Sequence, residues 1–203
     1  MVHHSESQEK RLIAVHELLK KHAAGEIKSE LFDHQEELNK EPVRRRALKL
    51  LDQRSRSREE LRGRLLALDF PELIVESVIA DLENAGLIDD EQFAHQWVEQ
   101  RRKRRAKSAQ ALDWELQHKG VSVADRQKAL AQITHAEDEA IAQKLLEKKA
   151  RSIKAIPSDK KERDKEVRRL VGMLTRRGFR QGLCVRLARH ALEERIAQLR
   201  QGG

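Results

Sequence analysis

The sequence predicts an all-α protein of tandem three-helix repeats stacked one on the next, preceded by an N-terminal helical appendage. Three observations carry this. Leu, Ala, Glu, Lys, Arg and Gln, all strong helix formers, fill most of the 203 residues, with only 3 Pro and 9 Gly to interrupt them. Apolar residues recur at the three- and four-residue spacing of an amphipathic helix, and no run alternates as a strand would. The same Leu-x3-Leu pattern then returns three times, each time followed by a helix stop and another helix. Hydrophobic residues make up 38% of the chain and charged residues 37%. Such a balance suits thin helical layers with much solvated surface better than one deep core.

Residues 1–42 form the appendage. Leu12, Val15, His16 and Leu19 lie on one stripe of a helix over residues 9–22, which Gly25 interrupts. A second helical stretch around Ser29–Lys40 holds Leu31, Phe32 and Leu38, and Pro42 is expected to mark its end. The first repeat, residues 43–88, opens with a helix over Arg44–Gln53 that presents Ala47, Leu48 and Leu51. Ser57 followed by Glu60 is a capping box opening the next helix, with Leu61, Leu65 and Leu68 on its apolar face. Pro71 suits the first turn of the third, whose stripe is Val75, Val78, Ile79 and Leu82, with Gly86 as its stop.

The second repeat, residues 89–134, begins at Asp89-Asp90 and turns Phe93, Ala94, Trp97 and Val98 to one side. Leu112 and Leu116 mark its second helix, ended by Gly120. Ser122 with Asp125 caps its third, with Ala129, Leu130 and Ile133. The third repeat, residues 135–203, carries Ile141, Leu145 and Leu146, then a loop around Pro157. Val167, Leu170, Val171 and Leu174 follow, ended by Gly178, and Leu183, Leu187, Ala191 and Leu192 close the chain. Leu61-x3-Leu65-x3-Asp69-Phe70, Leu112-x3-Leu116-x3-Gly120-Val121 and Leu170-x3-Leu174-x3-Gly178-Phe179 correspond, which implies a quasi-linear stack.

Net charge is +8, and it is uneven: the appendage carries −3 and the last repeat +8. A basic surplus favours a polyanionic partner such as nucleic acid, an acidic protein surface or a nucleoprotein. Three cation clusters are the candidate contacts. The first is Arg44, Arg45 and Arg46. The second is the run Arg101, Arg102, Lys103, Arg104 and Arg105 with Lys107. The third gathers Arg168, Arg169, Arg176, Arg177, Arg180, Arg186 and Arg189. The chain has no Tyr, two Trp and four Phe, so aromatic platforms for stacked bases are few. Phe70, Phe93 and Trp97 fall on apolar stripes and read as packing. Trp114, between Asp113 and Glu115, is the candidate exposed contact.

Enzyme chemistry is not legible. Nine His residues show no zinc-finger or zincin spacing, and the glycines are scattered singly apart from the terminal pair, so no phosphate loop appears. No nucleophile–base constellation stands out, and no cofactor or metal is expected. The single Cys184 cannot form an internal disulfide and suits a reducing compartment. With no long apolar run and no secretory segment, the expectation is a cytoplasmic protein without membrane contact.

From Ala47 to about Ala131 the chain resembles the RecX family. The pattern is Ala47-Leu48-x2-Leu51-x2-Arg54-Ser55-Arg56-Ser57-x2-Glu60-Leu61, then Leu65 and the junction Leu82-x3-Gly86-Leu87-Ile88-Asp89-Asp90-x2-Phe93-Ala94. The basic run Arg101–Arg105 and Leu116-x3-Gly120-Val121 complete it. The third repeat resembles the family more weakly, residues 1–42 lie outside it, and Lys107-Ser108 stands where the family commonly has a Gly before the helix. The resemblance implies that the stack is elongated and curved. It further implies a protein that needs no cofactor, binds the RecA–DNA filament and inhibits RecA's ATPase, strand exchange and coprotease activities; nothing in the sequence demands a dimer, so a monomer is expected. Weaker electrostatic binding to single- and double-stranded DNA goes with it. On this reading Leu61, Leu65, Asp90 and Phe93 are core or cap residues, not contacts. The alternative is a general DNA-binding helical protein that acts by competition for DNA.

Overall fold

The computed structural model describes residues 30–201, and the helix expected over residues 9–22 lies outside them. Among the described residues there are helices and no strand. They are α1 (Glu30–Gln53), α2 (Arg58–Leu66), α3 (Glu72–Asn84), α4 (Asp90–Arg105), α5 (Ala109–Gln117), α6 (Val123–Ala131), α7 (His135–Ala150), α8 (Lys160–Thr175) and α9 (Gln181–Gln201). No helix among them is long and apolar enough to cross a membrane.

The chain divides into two compact units. One holds residues up to 54 and 62–82; the other holds 55–61 and 83–203. In the first, Val43, Ala47 and Leu50 form the buried stripe of α1, and Val75, Val78, Ile79 and Leu82 that of α3. Lys40 and Arg44 on α1 both reach Asp81 on α3, at 3.8 and 3.0 Å. The expected helix end at Pro42 is absent: α1 runs straight through it. Pro42 and Leu38 are both exposed, so water can reach the turn in which the Leu38 carbonyl loses its helical partner, which lowers the penalty of an interior proline. Leu48 and Leu68, expected on apolar faces, are 42% and 44% exposed. The α1 stripe is set one step away from Leu48, and Leu68 falls in the turn after α2.

The second unit has two thin cores. Phe93, Ala94, Val98, Leu112, Leu116 and Val121 centre the first, with Trp97, Leu130 and Ile133 packed at its margin. Leu146, Leu170, Leu174, Leu187, Leu192 and Ile196 centre the second. Ile153, from the loop after α7, enters that second core, a placement no helical periodicity announces. Cys184 is buried there; burial pushes its thiol up, and the sulfur donates to the Phe179 carbonyl at 3.4 Å. The thiolate is disfavoured and the residue packs as a small apolar side chain.

The sequence correspondence reappears in the backbone. Leu61/Leu65, Leu112/Leu116 and Leu170/Leu174 are all fully buried, and the aligned positions Asp69, Gly120 and Gly178 all take positive φ, at 60°, 75° and 82°. Helices α2 and α5 also begin alike. Ser57 Oγ accepts from Glu60 N–H and donates to the Lys119 carbonyl at 2.6 Å. Ser108 Oγ accepts from Ala111 N–H and donates to the Gly178 carbonyl at 2.7 Å. A carboxylate from a later helix takes the first helical N–H in each case: Asp90 accepts from Arg58 at 2.8 Å, and Asp138 from Ala109 at 3.0 Å. Asp90 is therefore a cap, and burial raises its carboxyl despite the lowering effect of the Arg58 amide. The hydroxyls of Ser57 and Ser108, both buried at these joints, each have a donor and an acceptor partner.

The turn before α5 resolves the departure at Lys107-Ser108. The left-handed residue is Ala106, at φ 48° and ψ 48°, where it caps α4. A Cβ in this region costs roughly 1–2 kcal/mol. Ala106→Gly is expected to stabilise the protein by about 0.5–1 kcal/mol, the relieved strain less the glycine's greater unfolded-state entropy. A rise in the urea midpoint without a change in slope checks it.

Candidate functional site

The three cation clusters fare differently. In the first, Arg44 is taken up by Glu37 at 2.9 Å and Asp81 at 3.0 Å, Arg45 is exposed and Arg46 half-buried. These lie in the first unit, and the remaining candidates lie in the second.

The run on α4 splits by helical face. Arg101 stacks on Trp97, its guanidinium carbon 4.1 Å from the ring centroid, while Lys119 approaches the same ring to 4.3 Å. Arg102 bonds Asp138 at 2.5 Å, with both side chains largely buried. Lys107 pairs with Glu115, which also accepts from Trp97 Nε1 at 2.9 Å. Burial raises the Glu115 carboxyl, but the Lys107 and Trp97 hydrogen bonds outweigh it and hold the group below its ordinary value. Arg101, Arg102 and Lys107 thus brace the second unit. Arg104 and Arg105, with Lys103, are exposed at the α4 C-terminus, where cations also favour the helix dipole.

Along the last three helices, Arg168 is exposed, Arg169 bonds Glu166 at 3.0 Å and Ser152 at 2.7 Å, and Arg186 bonds Glu139 at 2.9 Å. Arg177 is structural: its guanidinium donates to the Met173 carbonyl, and its own carbonyl accepts from Ser108 N–H at 3.0 Å. Arg176 and Arg180 are exposed, and neither has an ion pair with a described residue.

The fold brings four candidates together. Lys107, Trp114, Arg176 and Arg180 line one groove of about 620 Å³ between α5 and the turn joining α8 to α9. Ala111, Gly178 and Phe179 also line it, with Gln110, Glu115, Thr175 and Gln181 as its further polar residues. Trp114 is 60% exposed, whereas Trp97 is partly buried and stacked 5.8 Å from Phe93. The two tryptophans therefore separate as the sequence reading expected, one outward and one in packing. Sequence reasoning did not find the Arg101–Trp97–Lys119 stack or the two glutamines. Lys119 sits 22 residues from Trp97, beyond any helical spacing. Among the described residues no group of His, Cys, Asp and Glu has the arrangement of a metal site.

Comparison with known proteins adds a second line. The first three-helix domain of RecX matches residues 44–82, and the second three-helix domain of RecX matches residues 89–130. Regulatory protein RecX of Corynebacterium efficiens is 51% identical over 193 residues, covering 95% of this chain and 91% of that protein. Regulatory protein RecX of Streptomyces coelicolor is 38% identical over 154 residues, covering 76% and 79%. A crystal structure of regulatory protein RecX superposes with a TM-score of 0.61 at 25% identity, covering 71% of this chain and 70% of that one. RecX from Lactobacillus salivarius gives the same TM-score at 21% identity, covering 80% and 97%, and speaks to the fold alone.

Proposed function

The chain belongs to the RecX family, and from that premise we propose that it is a regulator of the RecA recombinase. It binds the RecA–DNA filament and inhibits RecA's ATPase, strand exchange and coprotease activities, so modulating recombination and DNA repair. It acts by contact, as a cytoplasmic monomer, without a cofactor and without catalysis of its own. Its acting units are the three-helix repeats over residues 43–88, 89–134 and 135–203. The single observation that carries the reading is the 51% identity to a regulatory protein RecX over 95% of the chain.

The charge distribution supports the reading. Exposed cations recur on separate elements: Arg45 on α1, Arg104 and Arg105 on α4, and Arg176 and Arg180 beside the groove. Contacts spread along a repeat protein engage several sites of a repeating filament at once, so individually weak contacts sum to tight binding. Contact with DNA phosphates adds a salt-sensitive component.

The test is RecA ATPase on single-stranded DNA, titrated with this protein at two salt concentrations. ATPase is expected to fall to a small fraction near one protein per RecA, and to stay low when DNA is in large excess. Inhibition that vanishes with excess DNA would instead establish competition for phosphates, the behaviour of a general DNA-binding helical protein.

A further inference from the structure

A tryptophan left in water forgoes the stabilisation its large apolar surface would gain by burial, so an outward indole in a groove points to a contact. Trp114 is such a residue, and its surroundings define what it fits. The two carboxylates beside it in sequence are both neutralised. Asp113 accepts from Arg126 Nε at 2.8 Å, and Glu115 is held by Lys107 and Trp97. Neither repels an incoming anion with a full charge. His118 lies against Trp114, ring centroids 3.8 Å apart, but is not one of the groove residues. With His118 against one side of the indole, the opposite face is the one left for a ligand in the groove. Arg176 and Arg180 line the same groove, are exposed, and have no ion pair with a described residue.

We infer that this groove is a binding site for single-stranded polynucleotide, with an unpaired base stacked on the open face of Trp114 and its flanking phosphates on Arg176 and Arg180. Every base has a π-face, so one indole between cations holds a strand without selecting its sequence. Gln110 and Gln181 offer both donors and acceptors to base edges. The volume of about 620 Å³ falls in the roughly 300–1,000 Å³ range of small-ligand pockets, enough for a base and its sugar. An acidic peptide would satisfy the arginines and leave the flat ring unused. A duplex would offer phosphates but no free base face. The inference deepens the function proposed above and rests on it for the presence of single-stranded DNA where the protein acts.

The experiment uses the full chain, oligo(dT) and no RecA, so its outcome is independent of any effect on RecA. Oligo(dT) is expected to quench tryptophan fluorescence, and Trp114→Ala to remove that quenching and weaken binding on the order of 10- to 100-fold. Trp114→Phe keeps a stacking face and is expected to retain most of the affinity. Since Trp114 is exposed, neither change disturbs a core. Removing both arginines (Arg176→Gln with Arg180→Gln) is expected to reduce the slope of log affinity against log salt by about 1.4. Wild-type affinity in Trp114→Ala would overturn the site. So would equal binding and quenching by a duplex of the same length, displacement of oligo(dT) by polyglutamate with the same quenching, or no binding of oligo(dT) at low salt.

Discussion

Replacing Gly178 by alanine is expected to destabilise the protein by about 4 kcal/mol, the left-handed strain of a Cβ added to the cost of overpacking a filled joint. Gly178 has φ +82°, and a Cβ there would stand 2.4 Å from Ala111 Cβ and 2.9 Å from Ser108 Oγ. Neither neighbour can swing away. Alanine has no side-chain torsion that moves its Cβ, and the Ser108 hydroxyl is already committed to the Gly178 carbonyl and the Ala111 amide. The start of α5 would have to move off the turn after α8, opening the groove that both line. Urea denaturation reads the loss as a lowered midpoint. The comparison is Gly86→Ala, also at positive φ (+68°) but with nothing within 4 Å of an added Cβ. It is expected to lose only the conformational part, roughly 1–2 kcal/mol. Equal losses at the two positions would mean that close packing at Gly178 contributes nothing.

Asp138→Ala is expected to cost about 3 kcal/mol, because it strands both groups the carboxylate serves. Asp138 Oδ1 accepts from Arg102 at 2.5 Å and Oδ2 from the Ala109 amide at 3.0 Å. The side chains of Arg102 and Asp138 are only 16% and 17% exposed, so water replaces their partners poorly. Asp138→Asn keeps a carbonyl oxygen for the Ala109 amide and is expected to lose about half as much, mainly the charge on Arg102. A double-mutant cycle with Arg102→Ala separates the two roles. Coupling of at least about 1 kcal/mol is expected for residues in direct contact. Additive losses would remove the ion pair from the account and leave only the helix cap.

Much of the fold is legible because it is decided within a turn or two of helix. Ser57, Ser108 and Ser122 each bond the amide three residues on, and Thr134 forms a full capping box with Glu137. Gly86, Gly120 and Gly178 stop helices by taking the positive φ that a side chain resists. The paired leucines of the repeats are buried because a spacing of four returns to the same face. Pro42 was misleading for the opposite reason. A proline's effect on a helix depends on whether the freed carbonyl can be solvated, and exposure is a tertiary property.

The candidate site was legible as a composition of cations but not as a place. Seventeen residues recommended themselves by charge or exposure, and local pattern cannot rank them. Arg101, Arg102 and Lys107 sit in the densest basic run, yet each is spent on a partner: Trp97, Asp138 and Glu115. Asp138 lies 36 residues from Arg102, so only the packing of α7 beside the end of α4 decides that this arginine is internal. Arg176 and Arg180 come to Trp114 across some sixty residues of chain. Helices, caps and the recurring leucine pairs can be read from the chain because they follow from hydrogen bonds and side-chain spacing within one or two turns. Which cations are neutralised, and which share a groove with an exposed indole, is settled by packing, since charge neutralisation acts through space between residues far apart along the chain.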